Sequence, residues 1–425
     1  MRALLQRRLG LSDPGMGVID DMNLAPLLDL DFTQGRHYAH RSVVASALTF
    51  TRASDGLDYA VQPAVLRATN VPRYMQNSAV DRLNGILIEG ADTNIIIQNT
   101  VYNVANWAFY SAPVMSDNTS VNLYGGHSFK MVWDGFTDIS AIVQVHALTA
   151  VKYIVEALVY TNGSAVTSAD MRFQANVSGG AAVYYNPTFE HVGSGVYLAW
   201  AVFTGTAVNW DVGINVRQNK TIYFSLLSCY LAAPTNEGGD FPRSPIPNST
   251  GASITRAADL LTIPGTGNVG ATEGTIDVEF VAPCSEPESG NNQYLLYYSK
   301  DANNRFLLYI NPVTNAMTFT LLMGGAAACA SANTSGFARN NTVKLRFVYR
   351  QTSTLDGTNY GILYNSVNGA AWGQLCASAV QPTGVMDGSG TIYLLHNTVS
   401  VSHLGSPIRR IRIYNRAKVG LPGDF

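Results

Sequence analysis

The sequence predicts an all-β protein: two antiparallel β-sandwiches in series, preceded by an extended N-terminal anchor. Three observations carry this. Apolar and polar residues alternate at period two along most of the chain, as in Val208, Trp210, Val212, Ile214 and Val216 against Asn209, Asp211, Gly213, Asn215 and Arg217. Turn signals punctuate the alternating runs, among them Asn162-Gly163, Asp356-Gly357, Asn368-Gly369 and Asp387-Gly388. No helical stripe longer than about three turns follows the first thirty residues. The 425 residues suggest about three domains, and an apolar share of 47% can fill several cores.

Charge excludes several classes of function. Only 13% of residues are charged and the net charge is −2, which argues against nucleic acid as a partner and against disorder. No apolar run reaches the ~18 residues of a membrane span, so membrane insertion is not expected. The opening MRALLQRRLGL does not read as a secretory signal, because Arg7 and Arg8 interrupt its apolar stretch. Cys229, Cys284, Cys329 and Cys376 lie far apart with no C-x-x-C pair, which predicts buried free thiols and a chain folded in a reducing cytosol.

The elements follow in order. Residues 1–27 place Leu4, Leu5, Leu9 and Leu11 near one side of a short helix, with Arg7 and Arg8 elsewhere on it. Such a helix is too short to stand alone. A breaker cluster at Ser12–Gly17 then cuts it off, so it reads as a docking segment that orders on another protein. Residues 28–100 carry short strands and several arginines and read as a β-rich wrapper. Residues 101–245 hold long alternating strands and form the first sandwich. Its end overlaps a stretch rich in Pro, Gly, Ser and Asn, NEGGDFPRSPIPNST at residues 236–250, which reads as a linker or crossover. Residues 246–425 form the second sandwich. Ile276, Val278 and Phe280 alternate there with Asp277 and Glu279, and Val343, Leu345, Phe347 and Tyr349 with Lys344, Arg346 and Arg350. Each such strand is expected to have one buried face and one wet face. Ala47–Asp55 and Ala252–Asp259 echo each other and read as one element opening each sandwich.

Catalytic signatures are weak. Gly265–Gly270 matches G-x-G-x-x-G, but a strand follows it instead of the helix that phosphate binding requires, so it reads as a loop. No G-x-S-x-G occurs, and His37 and His40 lack a metal-binding context. The carboxylate pairs Asp29/Asp31, Glu89/Asp92, Asp134/Asp138 and Glu286/Glu288 could in principle cleave glycans. Asp29, Asp31 and Glu89 read better as structural partners of Arg52 and Arg73. Trp200 and Trp210 read as core. Trp372, after the Asn368-Gly369 turn, is the tryptophan expected to be exposed, and Trp372 with Asn368 is the candidate carbohydrate contact. Asn118, Asn162, Asn176 and Asn248 begin N-x-S/T sequons, which matter only in a secreted eukaryotic chain.

Four blocks occur in succession: LLDLDFT (Leu27–Thr33), LTFTRASDG (Leu48–Gly56), NVPRY (Asn70–Tyr74) and NGILIEGADTNIIIQ (Asn84–Gln98). Their order and spacing resemble tailed-bacteriophage virion fibre and spike proteins. Asn106-Trp107 resembles the opening of a carbohydrate-binding-module-like jelly roll, and Phe241–Ile263 resembles the connector of the same proteins. GTIDVEF, Ser366–Trp372 and Ile408–Ala417 resemble strands of a concanavalin A/laminin G-like sandwich. Gly90 and Arg243 depart from the usual pattern. The resemblance implies a jelly roll at 101–245 and a concanavalin A/laminin G-like sandwich at 246–425. It also implies a non-enzymatic virion surface protein (tail fibre, spike or head-attached fibre) that adheres to host-surface glycan, contacts other virion proteins, forms a homotrimer and is made in the host cytoplasm. No cofactor is expected apart from calcium, which laminin-G-like loops accommodate at turn carboxylates such as Asp356 and Asp387. The alternatives are a polysaccharide depolymerase on a sandwich spike and a secreted bacterial lectin-like adhesin.

Overall fold

A computed structural model describes residues 92–100, 104–111, 113–124, 128–133, 135, 140–232, 245–281, 293–310, 317–330, 341–386, 390–394 and 407–418, together with isolated strands between 28 and 87. Residues 1–27, expected to act as a docking segment through Leu4, Leu5, Arg7, Arg8 and Leu9, lie outside the described residues, as does Asp387. The chain is all-β, 58% strand and 1% helix, in antiparallel sheets.

The first sandwich packs a six-stranded sheet on a five-stranded one. The six run in spatial order Val114–Asn118, Ser128–Val132, Thr221–Leu231, Lys152–Tyr160, Val196–Thr204 and Thr188–Gly193. The five run Tyr184–Tyr185, Met171–Val177, Asn209–Val216, Ser140–Ala147 and Ala108–Tyr110. The predicted alternation locks this packing. Trp210, Val212, Ile214 and Val216 turn inward with Phe173, Met171 and Ile142 to meet Val155, Ala157, Phe203 and Phe224. Each large side chain buried here contributes roughly 1.5–3 kcal/mol, and a one-residue slip would turn the whole set outward.

The second sandwich draws strands from both ends of the sequence. One sheet runs Arg36–Ala39, Leu28–Asp31, Pro407–Tyr414, Glu273–Val281, Thr342–Arg350, Gly361–Val367 and Gly373–Ser378. The hairpin Arg73–Asn77/Arg82–Leu87 joins it at Ile408. The facing sheet runs Ala326–Ala330, Met317–Met323, Asn304–Ile310, Gln293–Asp301, Thr391–Leu394, Leu260–Pro264 and Thr49–Thr51. Leu30, Ile276, Val278, Phe280, Phe306, Leu345 and Ile411 share its core. The block expected as a wrapper therefore supplies strands to the second sandwich, and the first sandwich is an insertion between them. The two echo segments are not equivalent. Thr49–Thr51 pairs with Leu260–Thr262 in a large sheet, whereas Ile254–Arg256 pairs with Asp92–Asn94 in a two-stranded ribbon.

Three expectations need correction. Cys376 is disulfide-bonded, with a partner outside the described side chains, so the cysteines are not all free thiols; Cys229 is free and buried. The polar side of the strands is not uniformly wet. Asp277 and Arg346, expected in solvent, are 1% and 3% exposed and form a two-pronged ion pair at 2.7 and 2.6 Å. A carboxylate buried this way is tolerable because the planar guanidinium matches both oxygens. The stretch read as a linker is also partly core, because Ile246 and Asn248 are buried.

The last point has a specific cause. Asn94, Asn99 and Asn248 are fully buried and serve as substitutes for missing sheet partners. Asn94 accepts from Ile96 and Cys229 amides and donates to the Ile246 carbonyl. Asn99 donates to the Leu227 and Ile246 carbonyls and accepts from the Asn248 amide. Asn248 donates to the Ile96 and Ala252 carbonyls and accepts from the amide and hydroxyl of Thr250. The clasp pins the connector against Thr221–Leu231, where Leu226 takes a left-handed φ of 54° beside a register shift.

Candidate functional site

Along the five-stranded sheet, residues alternate between the core and the outward face. With Phe173, Val212 and Ile142 inward, register turns Arg172, Gln174 and Asn176 outward from one strand, Asp211, Gly213 and Asn215 from the next, and Ala141 and Val143 from the third. The edge strands add Tyr184 opposite Gln174 and Tyr110 opposite Ala141. This outward face is polar, yet its floor is closed to bulk solvent: Gln174, Asn176, Asp211 and Asn215 are 0–2% exposed. Tyr110 and Tyr184 are half-buried on opposite rims.

Tyr110 reaches across the strand bearing Ala141 and Val143 to donate to Asp211 Oδ2 at 2.5 Å. That hydrogen bond, more than burial, pushes the Tyr110 pKa up to about 12, so the phenol keeps its proton at any ordinary pH. Gly213 lies at the centre, and a Cβ there would collide with the Ile142 carbonyl. On the other rim the Arg172 guanidinium sits 4.1 Å over the Tyr184 ring and also donates to Asn215 Oδ1. Asn215 in turn donates to the Ser140 carbonyl.

Two polar atoms on this face lack a hydrogen-bond partner although both are buried: Gln174 Oε1 and the Tyr184 hydroxyl. Buried polar atoms are nearly always paired, and an unpaired one costs roughly 1–3 kcal/mol. Such a cost inside a cleft is recovered when a ligand supplies the missing partner. On the strands of this face, Asp211 is the one carboxylate among the described residues.

The residues singled out from sequence lie elsewhere. Asn368 occupies a turn with φ of 51°; its Oδ1 accepts from the Thr342 amide and its own amide donates to the Thr342 carbonyl. Trp372 is half-buried against Val348, Leu355, Ile362 and Tyr364 in the second sandwich. Asp356 is exposed, and both its oxygens are engaged by its own turn, by the Thr358 and Asn359 amides and the Asn359 side chain, which hold its pKa below the usual carboxylate value. Asp31 stands opposite Arg36 and Arg410 in register, while the side chains of Arg52, Arg73 and Glu89 lie outside the described residues. Among the described residues, no group of three or more His, Cys, Asp or Glu is placed to hold a metal. Gly265–Gly270 forms a turn closed by the Asn268 and Val269 amides on the Gly265 carbonyl, with a strand after it.

A second aromatic feature crosses the second sandwich, where the ring centroids of Tyr309, Tyr294, Tyr297 and Tyr393 follow one another at 5.3, 5.7 and 5.8 Å. Two of these contacts are edge-to-face, so the rings pack into one another and present no flat platform.

No known family profile matches the sequence, and no curated protein matches it. Among solved structures, the CBM22-1 xylan-binding domain of Paenibacillus barcinonensis Xyn10C is 8% identical, with a TM-score of 0.26 over 34% of this chain and 96% of its own. The tandem CBM22-1–CBM22-2 domain of the same protein is 10% identical, with a TM-score of 0.28 over 76% of this chain and 98% of its own. The carbohydrate recognition domain of Emp46p in its metal-free form is 8% identical, with a TM-score of 0.17 over 76% and 96% of the two chains. These likenesses are too weak to bear on the function of the cleft.

Proposed function

We propose that the protein is a non-enzymatic glycan-binding component of a bacteriophage virion surface, with the polar cleft of the first sandwich as its sugar site. The observation that carries the binding reading is the pair of buried, unpartnered atoms, Gln174 Oε1 and the Tyr184 hydroxyl, on a face lined by Asp211, Asn176, Arg172 and Tyr110. Sugars offer closely spaced hydroxyls for such atoms and C–H faces for rim tyrosines. Binding is favoured over hydrolysis because glycosidases need two carboxyl groups flanking the bond, and the strands of this face provide Asp211 alone among the described residues. The virion setting rests on the sequence blocks between Leu27 and Gln98, and assembly as a homotrimer belongs to the same reading.

A glycan array probed with the full chain tests the binding. The expected result is retention on a restricted set of saccharides, with loss in Gln174→Ala and unchanged retention in Trp372→Ala. Release of reducing ends from any retained saccharide would instead establish a depolymerase.

A further inference from the structure

The hydrogen-bond direction across the cleft floor selects the charge of the ligand. Asn176 Nδ2 lies 3.0 Å from the Val177 carbonyl and 3.4 Å from Asp211 Oδ2. Both are acceptors, so the Asn176 amide has one workable orientation, with its Oδ1 towards Gln174. Gln174 Nε2 must then donate to that oxygen, as it does at 2.9 Å. The relay leaves Gln174 Oε1 as a fixed acceptor with nothing to accept. Tyr110 and Asn176 both occupy Asp211 Oδ2, which leaves Oδ1 of this negatively charged carboxylate as a second acceptor.

Resting on the glycan-binding reading of this same cleft, we infer that the site takes a neutral, hydroxyl-bearing sugar unit and discriminates against uronate, sialate and sulfated units. A hydroxyl donates to Gln174 Oε1 and Asp211 Oδ1 and satisfies both. A carboxylate or sulfate brings only acceptors, leaves Gln174 Oε1 unpaired and stands against the Asp211 charge. Arg172 does not reverse this preference, because its guanidinium lies over Tyr184 and reaches Asn215. The Tyr184 hydroxyl, on the rim, can donate or accept.

The test is calorimetric titration of the full chain with neutral oligosaccharides and with the same backbones bearing uronate or sulfate groups. The wild type is expected to bind the neutral members at least tenfold more tightly. Tyr184→Phe removes a hydroxyl that bonds nothing in the free protein, so folding is preserved while affinity for the neutral ligand falls about three- to tenfold. Asp211→Asn keeps the acceptor used by Tyr110 and Asn176 but turns the other atom into a donor, and it is expected to narrow the gap between neutral and acidic ligands. Preference of the wild type for acidic members, weakened by Tyr184→Phe, would overturn the charge inference and leave the glycan-binding reading standing. Neutral binding that neither variant alters would place the sugar outside this cleft and overturn the inference. Binding of no saccharide in either set would overturn both readings.

Discussion

At the scale of single residues, the positions most sensitive to loss of one partner are buried polar groups bonded to residues distant in sequence. Asn248→Ala removes two donated and two accepted side-chain hydrogen bonds from the clasp; with each stranded group costing about 1–3 kcal/mol, unfolding in urea should show a loss of several kcal/mol. Asp277→Asn leaves Arg346 charged and buried and is expected to cost about 3–5 kcal/mol, read by the same denaturation. His146 gives a pH signature. Burial lowers its pKa from 6.5 to about 4, so the unfolded chain takes up a proton before the folded one. Stability is then fully present above pH ~6.5 and falls as the pH drops towards ~4, by up to about 3 kcal/mol. Denaturation curves at pH 7 and 4.5 should show this fall, and His146→Phe should flatten it. Little of this was legible in sequence. Asn248 reads as a sequon in a polar connector, and Asp277 reads as the wet member of an alternating strand, because the pattern tells which residues share a face but not what covers that face.

At the scale of strands and sheets the sequence is far more readable. The Val208–Val216 alternation anticipated the strand Asn209–Val216 and its inward Trp210, Val212, Ile214 and Val216, because burying one face fixes a period of two, whereas Val208 lies before the strand and is exposed. The outward residues of that strand include Asp211 and Asn215, yet nothing local marks them as a site. Gln174, Tyr184 and Tyr110 join them only through pairing of four further strands. Trp372 drew attention as a large aromatic after a turn, whereas its ring packs on Ile362 and Tyr364. Gly213 shows how backbone proximity shapes the cleft. Gly213→Ala forces the new methyl against the Ile142 carbonyl, and strain of about 1–3 kcal/mol is expected, seen as a lower melting temperature with reduced ligand affinity. The Cys376 disulfide secures the outer strand Gly373–Ser378. Cys376→Ser should cost about 2–4 kcal/mol, and reductant should destabilise the wild type but not the variant.

At the scale of the whole molecule, one strand completes the second sandwich. Pro407–Tyr414 lies between Leu28–Asp31 and Glu273–Val281, so two strands separated by most of the sequence meet only through the last described one. Long-range pairing of this kind slows folding, and truncation after residue 406 is expected to leave the second sandwich open to limited proteolysis. The pairing of Leu28 with Ile413 has a mechanical consequence as well. Because these strands are antiparallel, the chain enters at Leu28 and leaves after Ile413 at the same corner. Tension between the flanking segments therefore loads the hydrogen bonds one after another, as in opening a zipper, and not all together as in shear. A pull transmitted along the chain would peel Leu28–Asp31 away at low force before it reached the inserted sandwich, leaving the cleft at Gln174 undistorted while the other end of the protein gives way.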